Sequence, residues 1–107
     1  MIRVEKPWGY ELIWAKTDKY VGKILHINKG HQLSLQYHNV KEETIYVQSG
    51  KLQFLIDGET LILEPGQTHH IKTKSVHRMT ALEDTDVFEV STPELDDVVR
   101  IQDDYGR

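Results

Sequence analysis

The stretch GHQLSLQYHNVKEETIYVQSG, Gly30 to Gly50, holds three side chains able to bind a metal: Gln36, His38 and Glu43. Gln36 and His38 are two residues apart, so on a strand they project from the same face. Glu43 follows across Asn39-Val40-Lys41-Glu42, a polar stretch able to turn the chain. Thr44-Ile45-Tyr46-Val47 is β-branched and aromatic, as a return strand requires. An antiparallel pair with a short connection therefore brings Glu43 beside Gln36 and His38. Downstream, Gly66 opens the run QTHHIKTKSVHRM, which supplies His77 as a fourth ligand. One amide oxygen, two imidazoles and a carboxylate suit one divalent first-row metal ion. A glutamine is a neutral, weak ligand, which favours Lewis-acid over redox chemistry. Zinc is the first expectation, with manganese, iron, cobalt or nickel as alternatives.

Working outward, the rest of the chain reads as strands. Tyr10 to Trp14 and Tyr20 to Asn28 are separated by Lys16-Thr17-Asp18-Lys19. Leu33 to His38 alternates, with Leu33, Leu35 and Tyr37 on one face and Ser34, Gln36 and His38 on the other. Lys51 to Ile56 and Glu59 to Leu63 flank Asp57-Gly58, the sharpest hairpin signal in the chain. Thr68 to Lys72, His77 to Leu82 and Val87 to Ser91 follow after turn residues. Pro93 to Val99 is the one place for a helical turn, with Thr92 as its N-cap. Many short strands at close spacing predict an all-β antiparallel sandwich or small β-barrel. At 107 residues the chain has room for one domain, residues 1–107, with a modest core.

Composition narrows the function. A net charge of −4 and the lack of any basic run argue against nucleic acid. No apolar stretch approaches membrane-spanning length, and MIRVEKPWGY lacks a signal-peptide core. The absence of cysteine removes disulfides, thiolate metal sites and a thiol nucleophile. A cytoplasmic location is the expectation.

In a small barrel the polar face of Leu33 to His38 lines the lumen, and Leu33, Leu35 and Tyr37 pack outside. The same parity turns Glu43, Ile45 and Val47 inward, together with His77, Met79 and Ala81. Enclosing a Gln, two His and a Glu with no cation would strand polar groups in a poorly hydrated site. Registering Ile71 as buried puts His69 inside with it. Glu89 shares parity with Val87 and Ser91. His69 and Glu89 are accordingly the candidates for proton transfer. His26 and His31 read as structural. Trp8, Trp14, Leu33, Leu35 and Tyr37 exceed what one core needs, which predicts a homodimer with Trp8 at its seam.

Gly30 to Gly50 resembles the first motif of the cupin superfamily: Gly, five residues, His-x-His, a short spacer, Glu, six residues, Gly. Gln36 stands in place of the first His. Gly66 to Ala81 resembles the second motif through Gly66 and His77, with Lys72-Thr73-Lys74 where the family has Pro-x-Gly. Over nearly the whole chain the similarity is to the C-terminal cupin domain of type II phosphomannose isomerases. It is carried by Lys6-Pro7-Trp8-Gly9, by GHQLSLQ with His38 two residues on, and by Ser75-Val76-His77-Arg78. The ending adds Asp96-Asp97-Val98-Val99-Arg100 and Asp103-Asp104-Tyr105-Gly106-Arg107. In that family Gln is expected at the position of Gln36. The segment after the ligand His differs: Asn39 to Ile45 lacks two family histidines and has Lys41 for an arginine.

The resemblance implies a cupin β-barrel and an aldose–ketose isomerase acting on a phosphosugar of the mannose 6-phosphate kind. The alternative is a non-catalytic module that binds a sugar or sugar phosphate, alone or beside a separate nucleotidyltransferase. A metal-dependent oxygenase is disfavoured by Gln36. Of the cations Lys23, Lys41, Arg78 and Arg107, Lys41 and Arg107 are the expected phosphate ligands. Arg107 takes its place from the Tyr-Gly-Arg ending.

Overall fold

The computed structural model describes residues 1–105, so Arg107 lies outside the described residues. Among the described residues, eleven strands form two antiparallel sheets. They are β1 (Ile2–Lys6), β2 (Gly9–Lys16), β3 (Val21–Ile27), β4 (Leu35–Tyr37), β5 (Glu43–Ser49) and β6 (Leu52–Ile56). β7 (Glu59–Leu63), β8 (Thr68–Ile71), β9 (His77–Ala81), β10 (Thr85–Ser91) and β11 (Val99–Gln102) complete them. One sheet has the order β1-β2-β3-β10-β5-β8 and the other β11-β4-β9-β6-β7. The all-β barrel expected from the strand pattern is therefore present.

The two sheets bury one apolar cluster between them. Leu25, Ile27, Ile45, Val47, Ile71 and Val87 enter from the larger sheet, and Leu52, Phe54, Ile56, Met79 and Ala81 from the smaller. Phe54 is fully buried, and its loss to alanine would cost about 3–5 kcal/mol through transfer and cavity formation. The inward faces are not uniform along their length. On β5 the buried positions run Glu43, Ile45, Val47, and on β9 His77, Met79, Ala81. Each strand thus carries a polar residue at one end of the barrel and an apolar one further in.

Turns behave as their sequences demand. Asp57 and Gly58 both have positive φ, 45° and 85°, closing the β6–β7 hairpin as an Asp-Gly turn should. Gly50 has φ 88°, and a Cβ there would lie 2.3 Å from the Asp84 carbonyl oxygen, which explains why glycine ends the first motif.

The fold corrects several expectations. β4 and β5 are not a hairpin pair: β4 bonds to β9 and β11, and β5 to β8 and β10 in the opposite sheet. The Asn39–Glu42 connection crosses between sheets, so each sequence motif supplies one strand to each. The expected strand Leu33–His38 shrinks to Leu35–Tyr37, because an isolated bridge at Gln32 and irregular backbone at Leu33 and Ser34 break the alternation. Leu33 turns into the core instead of outward, and Ser34 is buried beside it. Trp8 also joins the core, 2% exposed, rather than a subunit seam. Thr92 to Val98 forms bends and turns, not a helical turn capped by Thr92. The Thr92 hydroxyl instead accepts the Glu42 N–H at 3.0 Å. Strands β1 and β11 were not anticipated.

Candidate metal centre

β4, β5 and β9 bring His38, Glu43 and His77 together although 39 positions separate the first from the last by sequence number. Their ligand atoms all lie within 4.8 Å of one another, and all three residues are buried. Glu43 Oε1 is 3.2 Å from His38 Nε2 and 3.4 Å from His77 Nε2. Gln36 faces His77 directly across the β4–β9 ladder, and its side chain lines the same cavity as His38 and Glu43.

The hydrogen bonds behind the cluster decide its chemistry. His38 Nδ1 donates to the Asp97 carbonyl at 2.5 Å, and His77 Nδ1 to the Ser75 carbonyl at 2.9 Å. A carbonyl oxygen only accepts, so both Nδ1 atoms carry the proton and both Nε2 atoms are bare in the neutral rings. Two nitrogen lone pairs and a carboxylate thus converge with no donor among them. His77 Nε2 and Glu43 Oε2 are buried without a hydrogen-bond partner. A cation satisfies all three acceptors at once, and imidazoles braced through Nδ1 are the arrangement metal-binding histidines adopt. The donor set fits a divalent metal ion held by His38, Glu43 and His77, with Gln36 beside them.

A second layer of charge surrounds the first. Lys41 Nζ lies 3.1 Å from Glu43 Oε2, off the angle of a hydrogen bond, and 3.8 Å from Glu89 Oε2. Lys23, opposite Glu89 in the β3–β10 register, reaches Glu11 at 3.4 Å. Burial pushes Glu89 up, the Glu43 carboxylate adds to this, and Lys41 and Lys23 oppose it; the net pKa is about 8. Burial acts the same way on Glu43, but the adjoining His38 and His77 rings and the charge of Lys41 outweigh it and hold Glu43 well below its usual range. For Lys41, burial is overcome by Glu89 and Glu43, and its ammonium is stabilised. The proton shared by the carboxyl pair therefore resides on Glu89.

Asp97 organises the connection between the sheets. Its carboxylate accepts the backbone N–H groups of Asn39 at 3.1 Å, Val40 at 2.7 Å and Lys41 at 2.8 Å. Those donors, Lys41 first, hold its pKa below the ordinary value. One residue thus fixes the Lys41 segment through its side chain and the His38 ring through its carbonyl.

The other sequence candidates are placed as follows. Glu89 is buried, 5% exposed, and lines the cavity as its parity predicted. His69 is half-buried on β8, its ring edge-on to Phe54 at 5.3 Å between centroids, and it is not among the cavity's lining residues. Lys41 sits deep in the cavity between two carboxylates, not at a mouth open to solvent. Arg78 is tied to the carbonyls of Leu33 and Gln102 and to Asp104. His26, read as structural, pairs with Asp86 at 2.6 Å and stacks on Tyr10. Asp97 went unassigned in the sequence: it lies 59 positions from His38, and only its place in the family-like ending marked it.

The cavity above the cluster has a volume of about 400 Å³. Its rim is formed in part by Lys6, Leu95, Asp96, Val98 and Arg100.

Comparison with known proteins agrees with this architecture. The family model for the cupin domain matches residues 23–91. Mannose-1-phosphate guanylyltransferase of Escherichia coli K12 is 34% identical over 110 residues, covering 97% of this chain. Xanthan biosynthesis protein XanB of Xanthomonas campestris is 32% identical over 111 residues, covering 98%. The chain spans only 23% and 24% of the length of these two relatives. Among solved structures, KdgF from Halomonas sp. superposes with a TM-score of 0.81 at 22% identity, covering 87% of this chain and 86% of that one. With the matched segment containing every residue of the buried His–Glu cluster, the chain belongs to the cupin family.

Proposed function

We propose that this chain is a metal-dependent isomerase that interconverts the aldose and ketose forms of a phosphosugar of the mannose 6-phosphate kind. The observation that carries the reading is the convergence of His38, Glu43 and His77, the first two of them lining a substrate-sized cavity, with a carboxyl group and an ammonium group beside them. The similarity to a mannose-1-phosphate guanylyltransferase supports a mannose phosphate as the substrate class. A divalent ion held by His38, Glu43 and His77, with Gln36 beside them, supplies a Lewis acid for the carbonyl and its neighbouring hydroxyl; zinc is favoured, with manganese, iron, cobalt or nickel as alternatives.

The chain's own residues then account for the proton movement. Once ionised, Glu89 removes the proton from C2 of the aldose and returns it to C1 of the ketose, while the hydroxyl proton passes from O2 to O1; turnover should accordingly rise as pH approaches about 8. Lys41, held by Glu43 and Glu89, offsets the negative charge that develops on the two oxygens. His69 packs against Phe54, so Glu89 is assigned the transfer. The barrel wall of Trp8, Leu25, Leu33 and Met79 excludes water from one side of the cavity.

A sugar-phosphate-binding module is the second reading. It is favoured by the Lys41–Glu43 ion pair, which places a fixed cation on a ligand carboxylate. The two separate cleanly. Zinc-, manganese- and cobalt-loaded protein is incubated with mannose 6-phosphate in deuterated water. Isomerisation gives fructose 6-phosphate carrying deuterium at C1 and returns deuterium to C2 of the aldose. No product and no exchange with any of the three metals leaves the binding module.

A further inference from the structure

The cations lining the cavity can be sorted by what already holds them. Lys23 is buried against Glu11, and Lys41 is buried between Glu43 and Glu89. Lys6 is partly exposed and only 4.0 Å from Glu11, at the limit of an ion pair. Arg100 is exposed, and no hydrogen bond or ion pair holds its guanidinium among the described residues. Among the described residues it is the remaining strong, uncommitted cation of the lining.

Its position is fixed by register. Arg100 pairs with Gln36 across β11–β4, and Gln36 pairs with His77 across β4–β9. Residues directly opposite in antiparallel strands present their side chains to the same face. Arg100, Gln36 and His77 therefore form one inward row, two strand spacings or about 10 Å from end to end. An arginine side chain at one end of such a row reaches over the cavity toward a ligand whose other end lies on the His77 cluster.

We propose that Arg100, assisted by Lys6, forms an anion subsite at the cavity rim that takes the phosphate monoester of a sugar phosphate whose carbonyl end lies at His38 and Glu43. The assignment rests on the isomerase or binding reading above for the sugar, but the anion site itself does not require turnover. A guanidinium fork matches phosphate oxygens in pairs, which a lysine cannot reproduce. Asp96, the one exposed carboxylate of the lining, disfavours a more highly charged ligand than a monoester.

Residue-resolved modification by phenylglyoxal tests the subsite without reference to catalysis. Inorganic phosphate and mannose 6-phosphate should each slow modification of Arg100 several-fold and leave Arg3, on strand β1, unchanged, while mannose protects neither. Binding of mannose 6-phosphate by calorimetry should weaken about tenfold or more in Arg100→Ala and recover in part in Arg100→Lys. Equal protection of Arg3 and Arg100, no protection of either, or protection by mannose equal to that by its phosphate overturns the subsite. Protection at Arg100 with no isomerisation retains the subsite and removes the isomerase. Isomerisation that Arg100→Ala leaves unchanged, with no protection, does the reverse.

Discussion

Glu89 and Lys74 each sit where a single side chain conflicts with its setting. Glu89 is neutral at low pH in a buried site and must ionise against Glu43 as pH rises. With a folded pKa of about 8 against an ordinary 4.5, the folded state binds the extra proton between those values. Stability of the metal-free protein therefore falls as pH rises through that window. Glu89→Gln removes the penalty, so its melting temperature relative to wild type should climb from pH 5 to pH 8 in chelator-treated samples. The same substitution should lower isomerase turnover by roughly 10²–10⁴-fold while metal content is retained, since it alters a proton acceptor and not a ligand. Lys74 has φ 70° at the position where the second cupin motif has glycine. A left-handed conformation costs a non-glycine residue about 1–2 kcal/mol, and its N–H bond to the His38 carbonyl at 2.7 Å uses only backbone. Lys74→Gly should stabilise by about 1 kcal/mol after the entropy of glycine is set against it, raising the melting temperature by roughly 4–8 °C.

Among elements, the segment before β11 does the most for the site with the least regular structure. Asp97 gathers three N–H groups of the Asn39–Lys41 crossing and receives the His38 ring. Asp97→Ala keeps the carbonyl that accepts from His38 but releases the three N–H groups of the Asn39–Lys41 crossing, so it should weaken metal binding by less than the roughly 10–100-fold that loss of a direct partner behind a ligand costs. Calorimetry with zinc on the wild type and the variant measures this. Its carboxylate is held below its ordinary pKa by those donors, so its stabilising contribution is complete above 3.8 and disappears as pH falls through the lowered folded value. Unfolding on acidification should accordingly begin at higher pH in a titration of Asp97→Ala than in wild type. Sequence periodicity found the strands that face both core and solvent, because alternation records burial. β1 and β11 escaped it: β1 is an edge strand, and Val99–Gln102 is mostly exposed, so neither carries a strong apolar alternation. The pairing of β4 with β5 failed for a different reason. A short polar link suits a hairpin and a crossing between sheets equally well, and the pattern of side chains is the same in both.

At the scale of the whole molecule, the clustering of His38, Glu43 and His77 was legible because the three keep spacing and parity that survive either pairing. Gln36 was legible through its place on the same strand face as His38. The surrounding charges were not, since Lys41–Glu43 and Lys23–Glu11 depend on how far each chain reaches inside the barrel. The apolar surplus that suggested a homodimer is partly absorbed, with Trp8 and Leu33 in this chain's own core and Trp14 still 50% exposed. Two bare imidazole nitrogens and a carboxylate face one another in a buried space at the centre of the site. Metal content per chain tests that centre most directly, by elemental analysis and native mass spectrometry of zinc-loaded, desalted protein. Wild type should retain one divalent ion and a folded His38→Ala, His77→Ala double variant none. An ion-free wild type, or equal metal in both proteins, would contradict the assignment.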